Sequence, residues 1–369
     1  MLKNIVIFLL ALTAVLSCAR QGNAVDVQTS QEYAALFDIV KKDSLTGIVV
    51  IQPKTKSPKN LWSVPGRDDM PSRSDSDTMW FEPMDRLICM SSSHVAALSA
   101  IGADKVIMAV SGLKYMSDPD LKRNDVKDIG YDAALDYEAI LALEPDLLVT
   151  YAVTGAEPAY VSKLRSLGVR TLVLHDHLEQ HPLARAEYVR LFGALTGRNE
   201  VADSVYGAVR ERYLELTADV DRTAKAKVLI NIPYGDAWYV PGREGYMSQL
   251  VRDAGGEILG AVPDESSSSV VSLEQAYEYS LEADLWLNPG SCGTREELAE
   301  AHHMFPRFGP MAKGLPIYNN IRCVNEGGGN DFWESGAVRP DLILEDLISI
   351  MNHAKGGKQE EALHYHVCL

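Results

Sequence analysis

Hydrophobic and polar positions alternate most regularly over residues 199–220. Val201, Val205, Val209, Tyr213 and Leu216 keep a helical spacing, with Asp203, Arg210, Glu211, Arg212 and Glu215 between them. Asn199, after the Thr196-Gly197 break, is the expected N-cap. Such a helix runs about 33 Å, roughly the diameter of a small domain. A run of strand–helix units precedes it, and a second run starts at Lys227. The pattern predicts one long helix joining two α/β lobes, against the alternative of a surface helix inside a single large sheet.

The periodicity predicts strands over 47–51 and 78–81, around a Pro-, Ser-, Lys- and Asp-rich loop at 54–77. The first lobe follows with strands at 86–90, 105–110, 146–150 and 169–174 and helices at 95–101, 136–143 and 158–167. The second lobe repeats the scheme. Its strands are expected at 227–232, 237–240, 283–287, 315–318 and 321–324. Its helices are expected at 246–254, 272–279, 295–302 and 339–351, the last with Pro340 in its first turn. Apolar strands alternating with helices imply parallel sheets covered on both faces. The fold class is α/β: two Rossmann-like lobes joined by a single long helix, with a ligand cleft between them. The expected division is 1–18, 19–85, 86–198, 199–222, 223–354 and a polar tail at 355–369.

The first residues add an address. Met1-Leu2-Lys3-Asn4, an apolar run over 5–16 and Ser17-Cys18-Ala19 read as a secretion signal too short to span a membrane comfortably. Val15-Leu16-Ser17-Cys18 resembles a bacterial lipobox. That resemblance implies an exported lipoprotein facing the periplasm, lipidated at Cys18 and tethered to a membrane by a polar leash over 20–30. Four cysteines remain, Cys89, Cys292, Cys323 and Cys368, none with CxxC spacing, so a zinc or redox motif is not indicated. Cys89, in an apolar strand, reads as a buried thiol.

Composition narrows the partners. The 369-residue chain is 46% hydrophobic and carries a formal charge of −16. No basic stripe exists to release counterions from phosphates, which argues against a nucleic-acid partner.

In open parallel sheets ligands bind beyond the carboxyl ends of the strands. The loops at those ends are rich in aromatic rings. They are Tyr115, Tyr131 and Tyr151 in the first lobe, with Tyr234, Trp238, Tyr239, Phe332 and Trp333 in the second. Rigid rings around a cleft suit a flat, partly apolar ligand. Ser93 and His94 open a helix directly after a strand, where backbone N–H groups can take an anionic oxygen or serine can simply cap. His175-Asp176-His177 and His302-His303 read as solvated loop residues, not metal ligands.

The segment Asp136-Tyr137-Glu138-Ala139-Ile140-Leu141-Ala142-Leu143-Glu144-Pro145-Asp146-Leu147-Leu148-Val149 resembles the signature of the class III, helical-backbone periplasmic substrate-binding proteins. These serve ABC importers of iron–siderophores, haem and cobalamin. The likeness continues in Val271-Ser272-Leu273-Glu274 and Ala254-Gly255-Gly256. It extends to a lipoprotein subfamily through the Gly-Gly-Asn-Asp-aromatic-Trp-Glu-Ser-Gly segment, matched from Gly328 to Gly336. By position, Glu138 and Glu274 match the family glutamates that pair with arginines on the permease. Tyr151 falls where the cobalamin-binding member carries a ligand-contacting tryptophan. Tyr131, Tyr115 and Tyr239 fall near other contact aromatics.

The resemblance implies a monomer that takes up a metal chelate, either an iron–siderophore, a haem or a corrinoid. It would deliver that chelate to an ABC permease and its ATPase, with no intrinsic cofactor. Lys114 and Arg243 are the cations in the candidate loops, which disfavours a highly anionic ligand. Competing classes are a surface sensor lipoprotein and an enzyme on the same frame, such as a chelatase or hydrolase. No Gly-x-Ser-x-Gly elbow, phosphate loop or His-Glu-x-x-His motif favours the enzyme.

Overall fold

The computed structural model describes residues 31–42, 45–51, 58–59, 78–122, 125–131, 134–152, 157–359 and 362–369. The expected signal, Cys18, the leash and most of the 54–77 loop lie outside them. Two separate five-stranded sheets form the body, so the single-sheet alternative is excluded.

In the first sheet the order across is Lys127–Asp128, Ile107–Val110, Leu87–Cys89, Leu147–Tyr151 and Thr171–Leu174, all parallel. The inner strands read as near-continuous apolar runs because helices cover both faces. Chain order reverses between Leu87–Cys89 and Leu147–Tyr151, which creates a topological switch point at their carboxyl ends. Cys89 is fully buried here, and that burial pushes its thiol pKa up to about 12. An antiparallel sheet of Phe37–Lys42, Leu45–Ile51, Pro58–Lys59 and Thr78–Phe81 packs Phe37, Ile48 and Phe81 into the first-lobe core.

The second sheet runs Gly256–Ile258, Ala226–Ile230, Leu285–Leu287, Ile317–Asn319 and Val367–Cys368. The first four strands are parallel, and Val367–Cys368 is antiparallel at the edge. The end of the chain is therefore part of this lobe and not a polar tail. Buried Asp346 accepts from the backbone N–H groups of His364, Tyr365 and His366, and pairs with His366 Nδ1 at 2.9 Å. Polar composition concealed this segment, since the partner that fixes it lies about a helix away. The predicted strand at 321–324 is not formed. Only Val324 bridges there, to Asn330.

The linking helix spans Asn199–Ala218. Arg198 takes the cap position, so Asn199 is the first helical residue rather than the N-cap. Its buried stripe is Ala202, Tyr206, Val209 and Tyr213, rotated by one residue from the expected Val201 and Val205. Ala202 belongs to the first-lobe core, and Val209 and Tyr213 to the second. The helix is thus packed into both lobes along its length and is not a free tether. Among the described residues no helix is long and apolar enough to cross a membrane.

Candidate ligand-binding site

Met90 follows and Tyr151 ends the two strands that flank the first-lobe switch point, and Ser111 follows the neighbouring strand. These three, with Tyr115, Tyr131 and Tyr160, line a cavity of about 340 Å³. Three of the tyrosines expected from sequence, carried by two loops and a strand end, therefore meet in one place. Tyr160 was not anticipated, because it lies in the helix Ala159–Ser166 and not in a loop at a strand end. Its hydroxyl is 2.6 Å from Thr150 Oγ1, beside Tyr151, which fixes its ring at the rim. The Tyr151 and His177 rings meet edge-on at 6.1 Å.

The Tyr115 loop is held from below by Asp128, whose carboxylate accepts from the N–H groups of Gly112 and Leu113. Gly112 sits at φ 70, where a side chain would be strained and would meet the Tyr115 ring at 2.8 Å. The Lys114 ammonium lies 4.6 Å from the centre of the Tyr115 ring. The Tyr115 hydroxyl raises its pKa, so it stays a cation at the edge of the pocket.

Ser93 and His94 are corrections. Both are buried, His94 to 1% exposure, and neither is free for a ligand. Ser93 Oγ donates to Asp176 Oδ2 at 2.9 Å, and His94 Nε2 lies 3.5 Å from Asp176 Oδ1. His175 and Asp176 are likewise buried and not solvated. Burial would raise the Asp176 carboxyl. The bond and charge of His94, with Arg185 and His177 nearby, instead hold it well below the usual carboxylate range. This cluster ties the helix Ser92–Ala100 to the loop after Thr171–Leu174.

Trp238 is the other correction. It is 1% exposed, stacks on Trp286 at 6.0 Å and Phe308 at 5.8 Å, and donates from Nε1 to Ile230 O. The cause is strand alternation. Trp238–Val240 pairs antiparallel with Ser269–Val271, so Trp238 and Val240 point into the core while Tyr239 points out, 42% exposed. Trp333 is about half exposed, propped edge-on against buried Phe332.

Sequence reading also missed the asparagines that end the second-lobe strands. Asn231 and Asn288 adopt positive φ directly after Ala226–Ile230 and Leu285–Leu287. Asn231 Nδ2 holds Tyr239 O at 2.9 Å, and Asn319 Nδ2 holds the carbonyls of Gly290 and Cys292. The available signal was an Asn immediately after each apolar run.

Glu138 and Glu274 are exposed and stand in the first turns of Tyr137–Ala142 and Leu273–Glu282. Asp136 caps the first of these helices, and Ser272 caps the second through a reciprocal box with Gln275. Among the described residues, no group of three or more His, Cys, Asp or Glu is arranged to hold a metal ion.

Two lobes, one linking helix and a pocket at strand ends define the frame, and a profile of the family described as periplasmic binding protein matches residues 87–302. The chain belongs to the periplasmic binding protein family. Proteins of this family are solute binders, not enzymes. A lipoprotein of Methanocaldococcus jannaschii, named as uncharacterized, is 24% identical over 301 residues, covering 77% of this chain and 70% of its own. A periplasmic haem-binding protein from Pseudomonas aeruginosa superposes with a TM-score of 0.57 at 17% identity, over 77% of this chain and 98% of that one. The vitamin B12-binding protein BtuF of Vibrio cholerae superposes with a TM-score of 0.55 at 16% identity, over 74% and 98%. At these identities the structural likeness establishes the fold.

Proposed function

We propose that this protein captures a flat metal chelate between its lobes and delivers it to the permease of an ABC importer. The chelate is a corrinoid, a haem or a mildly anionic iron–siderophore. The observation that carries the reading is the convergence of Tyr115, Tyr131 and Tyr151 on one cavity at the switch point of the first sheet. Tyrosine rings laid against a flat ligand bury large area at little entropy cost, and their hydroxyls accept from or donate to a ligand's polar edge. Relatives of the same fold named for haem and vitamin B12 support this class of ligand. One bordering cation, Lys114, fits a ligand of low negative charge. Tyr234, Tyr239 and Trp333 are exposed second-lobe rings available to pack on it.

Glu138 and Glu274 provide one carboxylate on each lobe, each set in a capped first turn, as pegs for permease arginines. The lipoprotein name of the archaeal relative supports an extracytoplasmic body anchored through Cys18.

Calorimetric titration with haemin, cyanocobalamin and a ferric siderophore tests the reading. One of them binds at one per chain, and Tyr151→Ala weakens that binding by about 1–3 kcal/mol. Equal affinity in the variant removes Tyr151 from the site.

A further inference from the structure

The segment 114–118 belongs to the first lobe and carries Tyr115, yet the second lobe holds it. Asn325 Nδ2 donates to Met116 O at 2.9 Å. The N–H groups of Ser117 and Asp118 donate to the two carboxylate oxygens of Glu334 at 2.8 and 2.9 Å. Gly327 and Gly329 press against the same segment. A Cβ at either would stand 2.0 Å from Lys114 O or 1.7 Å from Tyr115 O, so only glycine permits this approach. Glu334 is 2% exposed and is not among the residues that line the tyrosine cavity.

We infer that Glu334 is a positioning residue, which seats Tyr115 in the tyrosine pocket from the opposite lobe and so sets chelate affinity without touching the chelate. The inference rests on the reading of that pocket as the ligand site. The groups facing Glu334 are acidic. They are Asp331 on its own loop and Asp118 on the segment it holds, the latter bonded to Ser99 Oγ. Arg339, which lines a crevice together with Ser117, Asp118 and Glu334, is taken up by Asp341 at 2.9 and 2.7 Å. Burial is the largest influence on the Glu334 carboxyl. It outweighs the two backbone bonds and, with Asp331 and Asp118, pushes the pKa up to about 7. Once released, Glu334 would be a solvated glutamate near about 4.3. The seated form therefore holds its proton more tightly. Raising the pH through 7 favours release, and lowering it favours the seat.

The test is the affinity of the full chain for haemin, cyanocobalamin and a ferric siderophore from pH 6 to pH 8, in wild type, E334A, E334Q, Y115A and the E334A/Y115A pair. Wild-type affinity, taken relative to Y115A to remove the probe's own titration, falls about 3- to 10-fold from pH 6 to pH 8. E334Q keeps one acceptor and no ionisable group, so it binds between wild type and E334A and shows no such fall. E334A costs about tenfold at pH 6 and nothing further when Y115A is already present. Additive losses in the pair, or an E334Q profile that falls like wild type, overturn the inference while leaving the pocket reading intact. If wild type binds none of the three probes, the pocket reading fails and the inference falls with it.

Discussion

The backbone N–H of Ser117, in the first lobe, donates to Glu334 Oε2, in the second, at 2.8 Å. The lobes are therefore joined at the cleft as well as through the linking helix, whose buried stripe packs into both cores. A helix gripped along its length resists bending, and a second join narrows the motion further.

Opening and closing should accordingly be small. Solution scattering with and without a bound chelate should give nearly superimposable profiles, and a radius of gyration that changes by several ångströms would contradict the rigid frame.

Trp238 and Tyr239 are neighbours with opposite fates. Trp238→Ala should destabilise the fold by about 3–5 kcal/mol, since it empties a stack shared with Trp286 and Phe308. Tyr239→Ala should leave the melting curve nearly unchanged and alter only ligand affinity. Chemical denaturation of the two variants side by side reads the difference.

Stability should fall as pH rises from about 5 to about 7. Burial, the largest influence, pushes the carboxyls of Glu179 and Glu334 up to about 7, against hydrogen bonds that lower them. Raised carboxyls favour the folded state below their unfolded pKa, and that advantage is lost as pH climbs through the folded value, with an upper bound of roughly 3 kcal/mol for each. Glu179 binds the N–H groups of Ala35 and Leu36, so the N-terminal segment should loosen in the same window. Asp176 and Asp346 act oppositely: burial, the largest influence, raises their carboxyls, but their histidine partners and other favourable contacts outweigh it and lower the pKa, so they lose their contribution only under stronger acid. Glu179→Gln should flatten the slope between pH 5 and pH 7, and an unchanged slope would assign it elsewhere.

Glu138→Arg with Glu274→Arg should abolish uptake in cells and leave chelate affinity intact in vitro. A drop in affinity instead would move these residues from docking to binding.

Much of the frame was legible because its signals are local. Apolar runs such as Leu147–Tyr151 and breaks such as Gly168 and Gly197 are written in consecutive residues, and the three tyrosines followed from the rule that ligands meet strand ends. What escaped depends on partners far along the chain. Whether Trp238 faces core or cleft turns on one step of register in a two-stranded ribbon. His94 is buried because Asp176 waits across the lobe, and the final residues are ordered because Asp346 does. Glu334 looked like one letter of a motif until its two backbone partners in the other lobe were seen.

The central claim is that the tyrosine cavity receives a flat metal chelate. Spectrophotometric titration of the full chain with haemin, cyanocobalamin and a ferric siderophore addresses it directly, repeated on a variant lacking the rings of Tyr115, Tyr131 and Tyr151. The account predicts that one chromophore shifts and saturates at one per chain, and that the shift is lost in the variant. Saturation by none of the three, or an undiminished shift without the three rings, would contradict it.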